Sequence, residues 1–140
     1  MNGKTKETIR TIVDGRKYTV KDVPMVRYET GVYVTPAATS KIVRQILKAN
    51  GIKAANYRFK SESFSGGTSL TLRENVDMTE TRDFVNDLLN WMKVGSFNGM
   101  IDLYEYSKNR PTMEIVSTGE TVDYGVKFTF LESYEGYTIA

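Results

Sequence analysis

Tyr57-Arg58-Phe59-Lys60-Ser61-Glu62-Ser63-Phe64-Ser65-Gly66-Gly67-Thr68-Ser69-Leu70-Thr71-Leu72-Arg73 decides the fold. Tyr57 and Phe59 alternate with Arg58 and Lys60, the period of two that sends successive side chains to opposite faces of a strand. The strand predicted here covers 54–61, with Asn56, Arg58 and Lys60 on its wet side. Ser65-Gly66-Gly67 supplies a turn, because glycine reaches the positive φ angles of a tight reversal. Alternation resumes over 68–73, where Leu70 and Leu72 share a face. The segment predicts a β-hairpin with one apolar side, which a helix or another sheet must cover.

Helices are predicted on both flanks. Upstream, Thr35-Pro36 is a start signal: threonine caps orphan N–H groups, and proline at the first helical position has no N–H to lose. Ile42, Val43, Ile46 and Leu47 recur at helical spacing, and Asn50-Gly51 supplies the stop, so a helix is predicted over 36–50. Downstream, Asp77-Met78-Thr79-Glu80 resembles a capping box, with Asp77 as cap and Glu80 reaching back. Phe84, Val85, Leu88, Leu89 and Met92 then form an apolar stripe closed by Lys93 and Gly95. Strands are predicted over 29–34 and 100–106, the latter with Ile101 and Leu103 opposite Asp102, Tyr104 and Tyr106.

The order over 29–106 is β-α-β-β-α-β, which predicts an α+β domain with a split β-α-β, ferredoxin-like core and a four-stranded antiparallel sheet. Farther out, the β-rich runs 8–13 and 16–20 flank Asp14-Gly15, a type I′ turn signal, and Pro24 is expected to end that hairpin. The tail predicts strands over 111–116 and 126–131, with Val126, Phe128 and Phe130 on one side. The hairpin 8–20 and the tail strands within 111–131 are expected to extend the core sheet or pack on its second face. The whole chain, 1–140, reads as one domain.

At 140 residues such a chain buries roughly 70% of its unfolded surface and needs no covalent staple. It has no cysteine and no histidine, which removes thiolate chemistry, disulfides and the commonest metal ligand. No cofactor and no metal are expected, and a general base would have to be Asp, Glu, Lys or Tyr. Asp102 and Glu105 stand three apart in a predicted strand and so point to opposite faces. A magnesium-dependent nuclease or phosphotransferase would need Asp102 to meet other carboxylates in the fold. A net charge of +2 is low for a nucleic-acid binder, although a local patch is compatible with it. No apolar run approaches a membrane span, and residues 1–7 are polar with no apolar stretch after them, so a cytoplasmic protein without a secretory signal is expected.

Three features remain as binding candidates. The Ser61-Glu62-Ser63-Phe64-Ser65-Gly66-Gly67-Thr68 segment has the glycines and hydroxyls of an anion cradle, but it leads into a strand and lacks a Walker pattern; a plain hairpin turn is the alternative. Lys41, Arg44 and Lys48 fall on one helix face with no acid between 36 and 50, either a solvated surface or a patch for an acidic partner. Strand alternation places Tyr33, Arg58, Lys60, Thr71, Arg73, Tyr104 and Tyr106 opposite the expected core. Aromatics among cations on an open sheet suit single-stranded nucleic acid, unless terminal strands cover that face.

Residues Tyr57 to Leu70 also resemble the signature of a large polyvalent protein-associated domain, the twenty-ninth of that series: an aromatic–basic strand, a Ser-x-Gly-Gly-like turn and a second strand. The run Phe97-Asn98-Gly99-Met100-Ile101-Asp102-Leu103-Tyr104 is similar to the strand that follows in the family, so the resemblance covers about 40–106. Leu70-Thr71-Leu72 stands where the family carries a tryptophan-containing strand. The resemblance implies a phage or conjugative-element accessory protein that counters host defences. The expectation is a non-enzymatic module that binds a host or phage protein through Arg58, Lys60, Ser63, Ser65, Gly66, Gly67, Lys41, Arg44 and Lys48. The alternative is a single-stranded nucleic-acid binder using Tyr33, Arg58, Arg73, Tyr104 and Tyr106.

Overall fold

The computed structural model describes residues 3–13, 15–64, 67–93, 95–98, 103–106 and 112–139. They form a mixed α+β structure, mostly antiparallel, with two helices. The chain begins with a long hairpin, β1 (Gly3–Val13) and β2 (Arg16–Tyr28), whose closing pair Val13↔Arg16 leaves the two-residue loop expected at 14–15. Gly15 takes φ +80°, as that turn requires. Pro24 does not end the unit: it lies inside β2, opposite Lys6. A β-bulge makes this possible. Glu7 pairs with Val23 but Ile9 with Val20, so β2 carries one extra residue, and Asp22 there has φ +58°. The extra residue switches the inward set from Val20 to Val23 and Met25, and all three stay buried. Lys41 Nζ donates to the Asp22 carbonyl at 2.6 Å and so holds the bulge from the helix side.

The next strand, β3 (Gly31–Tyr33), is shorter than the predicted 29–34, because Glu29 and Thr30 lie between its pair Tyr28↔Gly31 and serve as the turn. Helix α1 (Pro36–Ala49) follows as expected, with the Thr35 hydroxyl accepting from the Ala38 N–H and Asn50 at its end. A short 3-10 turn, Ala54–Asn56, leads into β4 (Tyr57–Phe64), which pairs with β5 (Gly67–Glu74). Helix α2 (Thr79–Met92) starts one residue later than a capping box at Asp77 would place it, with Met78 in the cap position. Asp77 accepts from the Thr79 N–H and hydroxyl, which holds its carboxyl below the usual range. After α2 come β6 (Gly95–Asn98) and β7 (Leu103–Tyr106), a hairpin of their own, then β8 (Thr112–Ile115), β9 (Thr121–Asp123) and β10 (Phe128–Glu132).

The sheet orders are β3-β2-β1-β8-β9, β10-β5-β4 and β6-β7. The four strands expected to share one ferredoxin-like sheet are therefore divided among three sheets. The long β2 takes β3 as a hairpin partner, β6 takes β7, and β10 enters beside β5 in parallel, Leu131 level with Leu72. Of the terminal strands only β10 joins the central hairpin; the rest build the five-stranded sheet. Its edges β3 and β9 approach each other, so it curls into a nearly closed, barrel-like form. Helix α1 packs on β2, β4 and β5, and so fastens the two larger sheets with Ile42, Val43, Ile46 and Leu47, each fully buried. Helix α2 lies on β10, where the Thr129 hydroxyl donates to the Leu89 carbonyl at 2.7 Å. Thr129 and Leu131 therefore face inward, and Phe128 and Phe130, two apart in β10, share the other side as expected; Val126 precedes the strand, and it and Phe128 are buried while Phe130 is 41% exposed. Among the described residues, no helix is long and apolar enough to cross a membrane.

Candidate functional site

The register of the three-stranded sheet fixes what its outer face presents. Lys60 is level with Thr71 and Phe130, and Arg58 is level with Arg73 and Glu132. Residues level across neighbouring strands share a face, so these six side chains form a two-row patch opposite the buried Leu70 and Leu72. Glu62 continues the face, and its carboxylate accepts from Lys60 Nζ at 2.9 Å, with both groups well exposed. That hydrogen bond and its charge raise the Lys60 pKa. The C-terminal turn borders the patch. Ser133 N–H donates to the Tyr137 carbonyl, Gly136 sits against the Arg73 guanidinium, and Tyr134 and Tyr137 are exposed.

The expected partner residues separate into groups. Arg58 and Lys60 come together on this face, joined by Arg73 of the nucleic-acid alternative, and Ser63 lies exposed farther along β4. Ser65 and Gly66 lie outside the described residues. Gly67 takes φ +144°, a conformation that strains any other residue, and a Cβ there would sit tightly against Lys127 Cδ at 3.0 Å and Phe128 Cε2 at 3.3 Å. The α1 cations do not act as one free patch. Lys41 is engaged by the β2 bulge, Arg44 stacks over the Phe59 ring at 4.0 Å, and Lys48 lines a shallow surface groove with Arg44 and Lys53.

The aromatic set of the nucleic-acid alternative is spread out. Tyr33 sits in the five-stranded sheet, edge-on to Tyr28 at 5.5 Å, and the strand holding Tyr104 and Tyr106 belongs to the β6–β7 hairpin. Asp102 lies outside the described residues. Among the described residues, no three acidic side chains gather as they would around a metal ion.

Two features escaped the sequence reading. A cleft of about 440 Å³ opens at the seam of the curled sheet, lined by Tyr33, Pro36, Thr68, Asp123, Gly125 and Lys127. Gly125 shapes it: a Cβ there would fall 2.0 Å from the Val34 carbonyl oxygen. The second is a buried polar group at the end of β5. Glu74, 1% exposed, takes a two-pronged ion pair from Arg82 at 2.9 and 2.7 Å and also accepts from the Tyr134 N–H. The pairing raises the Arg82 pKa. Burial above all raises the Tyr57 pKa, with the neighbouring Thr81 hydroxyl opposing and the Glu74 charge adding. This group joins β5, α2 and the C-terminal turn. Nothing in the sequence marks Glu74, eight residues before Arg82 and across a loop, as its partner.

The chain matches no protein-family model, no curated protein and no solved structure.

Proposed function

We propose that this chain is a non-enzymatic module that binds another protein through the outer face of the three-stranded sheet. The observation that carries this reading is the make-up of that face: Phe130, 41% exposed, beside Arg58, Lys60 and Arg73, with Glu62 and Glu132 interleaved. Aromatic and arginine side chains contribute most to protein interfaces, and a rim of mixed charge selects a partner of complementary pattern. A polyanion is a poorer fit, because the carboxylates interrupt the positive potential that phosphate binding depends on. The resemblance of Tyr57 to Leu70 to the polyvalent-protein domain supports a phage or mobile-element setting. In that setting the partner is a host or phage protein and the effect is to counter a host defence.

The test compares tagged wild type with Phe130→Ala/Arg73→Glu, two exposed changes that leave the melting curve in place. Wild type recovers one protein at near-stoichiometric yield from host cells, and the variant loses it, since a buried aromatic anchor is worth about 2 kcal/mol or more. Equal recovery by both proteins sinks the proposal. So does salt-dependent binding of mixed single-stranded oligonucleotides with no protein partner.

A further inference from the structure

The three-stranded sheet has two edges, and they are treated differently. Beyond β10 the chain turns back, Ile139 N–H donates to the Leu131 carbonyl at 2.8 Å, and Thr138 bridges Glu132, so that edge is covered. The five-stranded sheet brings its own edges together. The outer edge of β4 has no strand against it among the described residues, although β4 is eight residues long. Such an edge is a template for another strand.

The phase of β4 states which groups are on offer. Asn75 N–H donates to the Asn56 carbonyl at 2.8 Å, one step before the strand begins, so the even-numbered residues of β4 exchange bonds with β5. Antiparallel pairs alternate between bonded and non-bonded. Phe59, Ser61 and Ser63 therefore turn their N–H and C=O groups outward, whereas the Tyr57 N–H is taken by the Ala54 carbonyl. On the α1 side of the sheet Ser61 and Ser63 are small and exposed.

We infer that this edge pairs with the same edge of a second copy, antiparallel, with Ser61 meeting Ser61 on the two-fold axis. Phe59 of each copy then lies opposite Ser63 of the other, which gives about six backbone hydrogen bonds. On the outer face Lys60 of each copy meets Glu62 of the other, so the ion pair now held within one strand is exchanged for two between strands. Charge selects this register. Sliding so that Lys60 meets Lys60, or Glu62 meets Glu62, sets like charges opposite each other at the axis. The product is one continuous sheet of two β10-β5-β4 units. Binding of a different protein on the outer face is a separate matter, and either can fail without the other.

Sedimentation equilibrium over a wide concentration range tests the pairing. Wild type forms a dimer. Lys60→Glu raises its dissociation constant about tenfold, because two attractive pairs become repulsive, and Lys60→Glu/Glu62→Lys restores it. Ser61→Pro removes outward N–H groups that β4 does not use within its own sheet, so it yields a monomer with an unchanged far-ultraviolet spectrum. A wild type that stays monomeric overturns the inference. A dimer that the charge swap does not rescue, or that persists in folded Ser61→Pro, overturns it as well.

Discussion

The two larger sheets reach stability by opposite routes. The five-stranded sheet is joined largely by neighbours in sequence: β1 to β2 through a two-residue loop, β2 to β3 through another, β8 to β9 through a short turn. It curls until its edges lie close, and the Arg27–Glu120 pair, at 3.1 and 2.7 Å, ties β2 to the β8–β9 turn. The three-stranded sheet instead accepts β10 from far along the chain, in parallel, where no turn can set the register. Its alignment comes from burial, with Leu131 beside Leu72 and Thr129 beside Leu70 under the helices. The comparison separates pairing set by turns from pairing set by a shared core.

The largest test removes that core. Leu72 is fully buried, and Leu72→Ala should cost about 2–5 kcal/mol through lost burial and a residual cavity. Ile12→Ala, at an exposed site of the five-stranded sheet, should stay within about 0.5 kcal/mol in the same urea titration. Equal effects would erase the contrast. The junction between the sheets comes next. Gly125 has φ +83° and almost touches the Val34 carbonyl, so Gly125→Ala combines backbone strain with a clash, at a cost of about 3 kcal/mol by thermal unfolding.

Smaller effects sharpen the picture. Gly67→Val should destabilise by roughly 1–3 kcal/mol, since both its φ and its contacts exclude a branched side chain. The exposed Ser63→Ala on the same hairpin should cost no more than about 1 kcal/mol in the same measurement. The Arg27–Glu120 pair gives the five-stranded sheet a pH signature. Hydrogen bonds from Arg27, then Thr118, lower the Glu120 pKa. Its contribution is therefore complete above the ordinary glutamate value of about 4.3 and is lost as pH falls through the lower folded value. Glu120→Gln should be slightly less stable than wild type at neutral pH, and the gap between their urea midpoints should close in acid. A constant gap down to acid pH would show that the pair carries no stability.

Local chemistry made much of this molecule legible in advance. Thr35-Pro36 and Asn50-Gly51 bound α1 because capping and chain termination involve only adjacent backbone groups. Asp14-Gly15 and Ser65-Gly66-Gly67 mark hairpins because a two-residue loop dictates its own pairing. The Arg58–Lys60 half of the candidate face follows from alternation alone. The bulge was half visible, in the spacing Val20, Val23, Met25, which no regular strand can bury on one side; Pro24 masked it by suggesting an end.

The sequence by itself determined the two helices, the two hairpins and the alternation within each strand, all of which depend on residues a few positions apart. Only the tertiary structure decided which strands share a sheet. That choice turns on how much apolar surface β10, β5 and the helices bury together, and on which distant charge, Arg82, meets the buried Glu74. Those free energies belong to contacts between remote segments, and a one-dimensional pattern of polar and apolar residues is compatible with several ways of making them.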